Sequence, residues 1–161
     1  MPSHAIDYLA HHPHHVATVG TWIWDQWDRD NGWSQQQCID LLRDQGCHID
    51  QLDVTLIAVN DHQECIGTIQ LMQDDFLPDF QHLSPWVGSF YVVPEARNGH
   101  LALELSDRIE AVAGQLGYGS FYAHTTSLQH FFIRRGGIKI GESLYSGKKV
   151  DVFQLPVRQD T

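Results

Sequence analysis

Apolar and polar positions change their period several times along the chain, and each change marks an element. HAIDYL at 4–9 alternates apolar and polar, the pattern of a short strand. Val16, Val19, Ile23 and Trp27 then recur at helical spacing. Pro13 precedes them, suited to a helix start because its missing N–H is not needed there. SQQQCIDLLRDQG predicts a second helix, capped by Ser34, with Cys38, Leu41 and Leu42 as its apolar stripe and Gly46 as its stop. VTLIAV, the turn NDHQE and CIGTIQLM read as a hairpin. Gly67, inside the second of these strands, predicts a bulge or a close backbone approach. LPDFQHLSP is a loop, and WVGSFYVV is a strand stopped by Pro94. Leu101, Leu105, Ile109, Val112 and Leu116 fall on one stripe of a helix that runs from about residue 100 and is closed by Gly117. GSFYAHT is a short strand, SLQHFFIRRGG a short helix, and IKIGESLYSGKKVDVFQLPV a final hairpin turning at Ser146-Gly147.

The order is strand, two helices, three strands, helix, strand, helix, two strands. It predicts an α+β fold whose mostly antiparallel sheet is interrupted by one strand–helix–strand crossover. With 161 residues and 42% hydrophobic positions, the chain is expected to form one globular domain over 1–161. No run of 18 apolar residues occurs, so no membrane span is expected. The start MPSHAIDYLAHHPHH lacks the basic-then-apolar pattern of a secretory signal, which makes the cytoplasm the default location. Cys38, Cys47 and Cys65 match no zinc or redox spacing and read as free thiols. The formal charge of -10, from 20 acids against 10 bases, leaves no basic face for nucleic acid. The same excess favours solubility and would attract a cationic substrate.

Candidate chemistry is scattered. His11, His12, His14 and His15 surround a first helical turn rather than lining one face, so exposed imidazoles at a helix start are expected and no metal site is assigned. Trp22, Trp24, Trp27 and Trp33 are dense. Core positions are expected for most of them, with one, such as Trp27, at a cleft edge. Asp74 and Asp75 follow a strand and would lie near a cleft mouth, as cation anchors or a base, or simply as a polar turn. His124 ends a strand and could relay a proton, although an ordinary satisfied histidine accounts for it better. Tyr145 offers a hydroxyl from the last hairpin. Asp79 and His82 sit in a loop that would cover a substrate or merely be solvated. Ser127 is placed to cap the short helix.

This order and these residues resemble the GNAT N-acetyltransferase superfamily, in its small bacterial form. The resemblance runs from about residue 5 to 157 and centres on YVVPEARNGHLALEL, where Val92, Pro94 and Arg97 fit the family's V-x-P-x-x-R pattern ahead of its phosphate turn. It implies a twisted sheet of about seven strands flanked by about four helices, with the strand at 86–93 splayed from that at 119–125. It also implies acetyl-CoA as co-substrate. The main chain of Phe90, Tyr91 and Val92 would hold the pantetheine arm. The amide of Phe90 would stabilise the oxyanion of the tetrahedral intermediate. Arg97, Asn98, Gly99, His100, Leu101, Ala102 and Leu103 would wrap the pyrophosphate at a helix start, with Ser127 and Phe132 also near CoA. The implied acceptor is a primary amine of a small cationic molecule or a peptide, held by Trp27, Asp74 and Asp75. Asp75 and Tyr145 are the candidates for base and acid. A homodimer is a further implication, because an exposed final hairpin would permit two copies to pair. Three positions depart from the family pattern. His100 stands where the turn carries glycine. Phe132 stands at the usual tyrosine acid and cannot donate a proton. Trp86 stands at a glutamate base. They leave a second reading open, a CoA-binding or regulatory module without catalysis.

Overall fold

The computed structural model describes residues 3–158. Seven strands form one sheet: β1 (His4–Tyr8), β2 (Val54–Asn60), β3 (Cys65–Met72), β4 (Trp86–Val92), β5 (Ser120–Thr125), β6 (Ile138–Tyr145) and β7 (Lys148–Pro156). Four α-helices accompany them: α1 (Val16–Ile23), α2 (Gln35–Gln45), α3 (Leu101–Gln115) and α4 (Gln129–Arg134). The strand order is β1-β2-β3-β4-β5-β7-β6, antiparallel throughout except for β4 and β5, which are joined by the α3 crossover and run parallel. This is the expected mixed sheet with its single crossover. Among the described residues, no helix is long and apolar enough to cross a membrane.

The sheet has two buried faces. On one, Leu101, Leu105, Ile109 and Val112 of α3 pack on Leu56, Ile69, Leu71, Phe121 and Phe153. On the other, Val16 and Val19 of α1 and Leu42 of α2 cover Ile57 and Val59. A third cluster, Leu77, Trp86, Val150 and Val152, continues that second face under the loop between β3 and β4. Strands β2 and β3 are therefore buried on both sides, which explains why β2 runs almost continuously apolar, while the polar Thr68 and Gln70 of β3 are buried with hydrogen bonds to the Leu56 carbonyl at 2.9 Å and the Thr55 hydroxyl at 3.0 Å.

Local chemistry sets the boundaries. Ser34 accepts the Gln37 amide at 3.0 Å while the Gln37 side chain accepts the Ser34 amide at 2.8 Å, a reciprocal capping box. Helix α3 ends with Gly117 at φ +94°, the Tyr118 amide donating to Ala113 and the Gly117 amide to Gly114, both at 3.0 Å. Ser146 and Gly147, at φ +52° and +77°, make the tight turn between β6 and β7. At Gly67 both expectations hold. The β2–β3 register shifts beside it, and a Cβ there would lie 3.1 Å from Leu105 Cδ1.

Several expectations need correction. Leu41 is 42% exposed, so the buried face of α2 is Cys38 and Leu42, with Ile39 packed alongside. The tryptophans of 22–33 are not core: Trp22, Trp24 and Trp27 are half-buried and Trp33 is exposed. Among the described residues the fully buried tryptophan is Trp86. Trp27 belongs to a five-residue π-helix, Trp24–Asp28, that follows α1 rather than to α1 itself. The histidines do not all face water. The rings of His11 and His12 donate to the Asp7 carboxylate at 3.1 and 3.0 Å, and His15 is buried with its Nε2 unpartnered.

Burial, and then the neighbouring charges of His14 and His12, push the His15 imidazole below its ordinary value. A depressed histidine means that the unfolded chain takes up a proton before the folded one does. Stability should be flat above about pH 6.5 and should fall as pH drops through the depressed folded value. In urea denaturation across this range, His15→Leu should lose part of the acid-side slope. Parallel curves for variant and wild type would contradict the assignment.

Candidate active site

Strands β4 and β5 pair at one place, Trp86 opposite Tyr122, where the Tyr122 amide donates to the Pro85 carbonyl at 2.9 Å. Beyond it the strands part. The cause lies on the other edge of β4. Gly88 pairs with Gln70 and Tyr91 with Thr68, so Ser89 and Phe90 both stand opposite Ile69. Ser89 takes φ +49°, a left-handed conformation that a serine holds only under constraint. This extra residue switches the faces of β4. Trp86 sits on the α1 face, as does Tyr91, whose ring lies 5.1 Å from Trp22. Phe90 is turned to the α3 face, opposite Phe131 at 6.1 Å.

On the α1 face the opening gathers polar groups. Counting along the parallel strands from Trp86 and Tyr122 sets Gly88 level with His124. His124 Nε2 lies 2.7 Å from Asp75 Oδ2, the two side chains being 14% and 16% exposed. A side chain at Gly88 would collide with Met72 and approach that same Asp75 oxygen to 3.8 Å, so glycine keeps the floor open. The Tyr145 ring stacks 4.7 Å from His124, and Trp86 lies 5.6 Å from Tyr122. Burial pushes the Tyr145 phenol up to about 12, assisted by the negative charges of Asp75 and Asp28.

Asp28 thus joins the cluster from a distant part of the sequence. It ends the π-helix, whose wider turn changes which residues face the sheet. Its carboxyl is pushed up by burial and by Asp75, and pulled down by the Cys38 thiol 3.5 Å away. Asn31 holds this segment against the β6–β7 turn, donating to the Trp27 carbonyl at 3.0 Å and to Ser146 Oγ at 2.9 Å.

On the α3 face the opening is a narrow apolar crevice between Val87, Phe90, Phe131 and Phe132, with free space for about one water molecule. Phe132 is buried and packs on Phe153 at 5.7 Å. The start of α3 lies beside β4. His100 precedes it at φ -99°, outside the left-handed region, and no side chain caps the first-turn amides. Arg97 donates from Nε to the Val92 carbonyl at 2.8 Å, and its guanidinium lies 5.5 Å from the Tyr91 ring centre. Asn98, Gly99 and Leu103 are exposed, Ala102 is half-buried and Leu101 is buried.

The expected residues are therefore brought together only in part. Phe90, Tyr91, Val92 and the 97–103 turn lie along one edge of the opening. Asp75, His124 and Tyr145 meet at its other face. Asp74 does not join them: it accepts the Phe76 amide at 2.7 Å and lies near Asp53 instead. Trp86 is buried, donating from its indole to the Leu83 carbonyl at 2.8 Å. The loop carrying Asp79 and His82 is pinned to β6, Phe80 filling the space above Gly141. Ser127 does not cap α4. No side chain caps it: Leu128 is the N-cap residue, and the Thr125 hydroxyl closes the turn just before the helix by accepting the amides of Ser127 and Leu128 at 3.1 and 2.8 Å. Sequence reasoning missed Asp28, which carries no local signal beyond an acid among tryptophans.

A family model described as the acetyltransferase (GNAT) family matches residues 16–136. Solved structures of similar fold include aminoglycoside 6'-acetyltransferase type Ii, at 16% identity and TM-score 0.68 over 98% of this chain and 99% of that one. A variant of spermidine N-acetyltransferase from Vibrio cholerae aligns at 13% identity and TM-score 0.68 over 96% and 94%. An acyl-CoA N-acyltransferase from Pseudomonas aeruginosa aligns at 14% and 0.64 over 96% and 99%. At these identities the likeness concerns the fold. No curated protein matches the sequence.

Thr125→Val should remove the acceptor for the Ser127 and Leu128 amides in the turn before α4 and cost roughly 0.5–2 kcal/mol in urea denaturation. Ser127→Ala should stay within about 0.5 kcal/mol of wild type. The opposite ranking would contradict this assignment.

Proposed function

The chain belongs to the GNAT acetyltransferase family, and from that premise we propose that it is an acetyl-CoA-dependent N-acetyltransferase acting on a primary amine of a small cationic molecule or peptide, by direct attack within a ternary complex. The observation that carries this reading is the Asp75–His124 contact at 2.7 Å, set where β4 and β5 part. The reading takes the whole chain, 1–161, as one such domain working in the cytoplasm. It also places two copies side by side along the outer edge of β6, where Ile138 and Leu144 are 69% and 61% exposed.

Acetyl-CoA suits the residues present. The first-turn amides of α3 have no side-chain acceptor, as a pyrophosphate would require. The His100 backbone is compatible with any residue, so its imidazole need not spoil the turn. In this reading Arg97 to Leu103 surround the diphosphate, and the free edge of β4 from Phe90 to Val92 holds the pantetheine arm. Phe132 and Ser127 border that arm. When bound, the co-substrate supplies an activated acetyl group as a thioester.

The remaining steps belong to the chain. His124 presents Nε2 to Asp75, which leaves Nδ1 to take a proton from the acceptor ammonium, and Asp75 steadies the charge that results. The Phe90 amide donates to the carbonyl oxygen as negative charge gathers there. Tyr145, with its phenol near 12, keeps its proton and serves as a hydrogen-bond donor rather than a strong acid. Trp27, Asp75 and the aromatic rings around His124 line the acceptor side. Asp74, engaged with the Phe76 amide, contributes charge at longer range.

The test is release of CoA thiol that depends on added amine, measured across a panel of primary amines. Wild type should show it with at least one cationic amine. His124→Ala and Asp75→Asn should each lower kcat/KM by about 10²–10⁴-fold. Tyr145→Phe should cost far less. Acetyl-CoA binding without amine-dependent release would favour the non-catalytic CoA-binding module, for which Phe132 at the usual acid position speaks.

A further inference from the structure

Asp28 is half-buried among Cys38, Asp75 and Tyr145, yet among the described residues no lysine or arginine pairs with it. The nearest base in sequence, Arg29, is turned away. It pairs with Asp25, and its guanidinium lies 4.4 Å over the Trp24 ring. Among the described residues the polar partner of Asp28 is a thiol at 3.5 Å, a weak donor. Asp75 has His124, but Asp28 has no counterion. A carboxylate in this state costs stability, because burial disfavours its charge and Asp75 adds repulsion. The fold gains nothing visible from it. The segment that carries it is nonetheless held firmly: the π-turn aims Asp28 at the sheet, and Asn31 ties the turn to Ser146. Aromatic faces complete the surroundings, with Tyr145 on His124 and Trp86 beneath, surfaces that favour a cation.

We propose that Asp28 selects acceptors bearing a second ammonium group, holding the non-reacting cation while Asp75 and His124 face the reacting amine. This rests on the transferase reading for which amine reacts, and goes beyond it in naming a dication and the residue that chooses it. An acceptor with one amine satisfies only one of the two carboxylates. An acceptor with two supplies the counterion that the chain withholds from Asp28. The geometry also predicts an unusual pairing of effects. Removing the charge of Asp28 should weaken dication binding while leaving the fold as stable as before, or more so.

The experiment is calorimetric titration of the full chain with diaminobutane and with butylamine, in the absence and presence of CoA, using wild type, Asp28→Asn and Asp28→Glu. Wild type should bind diaminobutane at least about 10-fold more tightly than butylamine. Asp28→Asn should bring that ratio down to about 2, and Asp28→Glu should keep most of it. The melting temperature of Asp28→Asn should equal or exceed that of wild type, which separates loss of the cation site from loss of the fold. Equal affinity for the two amines, no binding of either, or a preference that survives in Asp28→Asn would each overturn the proposal. Amine-dependent CoA release is read in parallel. A dication preference without release would sink the transferase reading and leave Asp28 standing, whereas release without preference would do the reverse.

Discussion

Ser89 and Phe90 of β4 stand opposite a single residue of β3, and this mismatch governs the geometry around it. Below it, Trp86 and Tyr122 hold β4 and β5 together; above it the ladder between them is gone. A strand edge without a neighbour presents amides and carbonyls that need partners. The same bulge switches the direction of alternate side chains, sending Phe90 toward α3 and Tyr91 toward α1. The opening consequently has an apolar side, floored by phenylalanines, and a polar side where Asp75, His124 and Tyr145 converge. Helix α3 must start where the crossover leaves β4, which brings its uncapped first turn to the same opening. One inserted residue thus sets a free backbone edge, a helix terminus and a charged cluster beside one another.

Much of this was legible in the sequence because it is local. Apolar runs, alternation, helical spacing and turn residues marked the seven strands and four helices, and Ser34, Gly117 and Ser146-Gly147 marked their ends at the right places. The 97–103 turn was legible too, since a strand, a proline and a helix start follow one another there. What was not legible is what separates neighbours in sequence or joins strangers. Asp74 and Asp75 look alike in a string of letters, but the chain turns between them, and one binds the Phe76 amide while the other meets His124. A π-helix has nearly the apolar spacing of an α-helix, so nothing announced that α1 would widen and deliver Asp28 to the cleft. The tryptophans of 22–33 misled for a similar reason. Their density suggested core, yet a helix on the outer side of a cleft can shield only part of each indole. Ser127 had the right chemistry for a cap, but the N-cap falls one residue later, at Leu128, and the Ser127 amide is itself held by the Thr125 hydroxyl in the turn before it.

The charges divide in the same way. Most of the acidic excess is spent at the surface or in pairs that tie the fold, such as Arg135 with Asp107 at 2.6 Å and Arg158 with Glu110 at 3.1 Å. The acids of the cleft are different. Among the described residues Asp75 is met by a histidine and Asp28 by a thiol, with no lysine or arginine on either. Natural sequences tend to remove such costs from positions that serve only the fold. Their presence together at the one opening in the sheet is the physical reason to connect them with a cationic acceptor.

In the proposed function, the backbone of β4 and the start of α3 form a working cradle for acetyl-CoA. Calorimetric titration of acetyl-CoA into the full chain, beside a His100→Gly variant, tests it most directly. Wild type should bind with micromolar affinity and the variant nearly as well, because His100 at φ -99° needs no glycine. No binding by wild type, with binding restored in the glycine variant, would show that the imidazole obstructs the turn and that the natural chain has no working cradle.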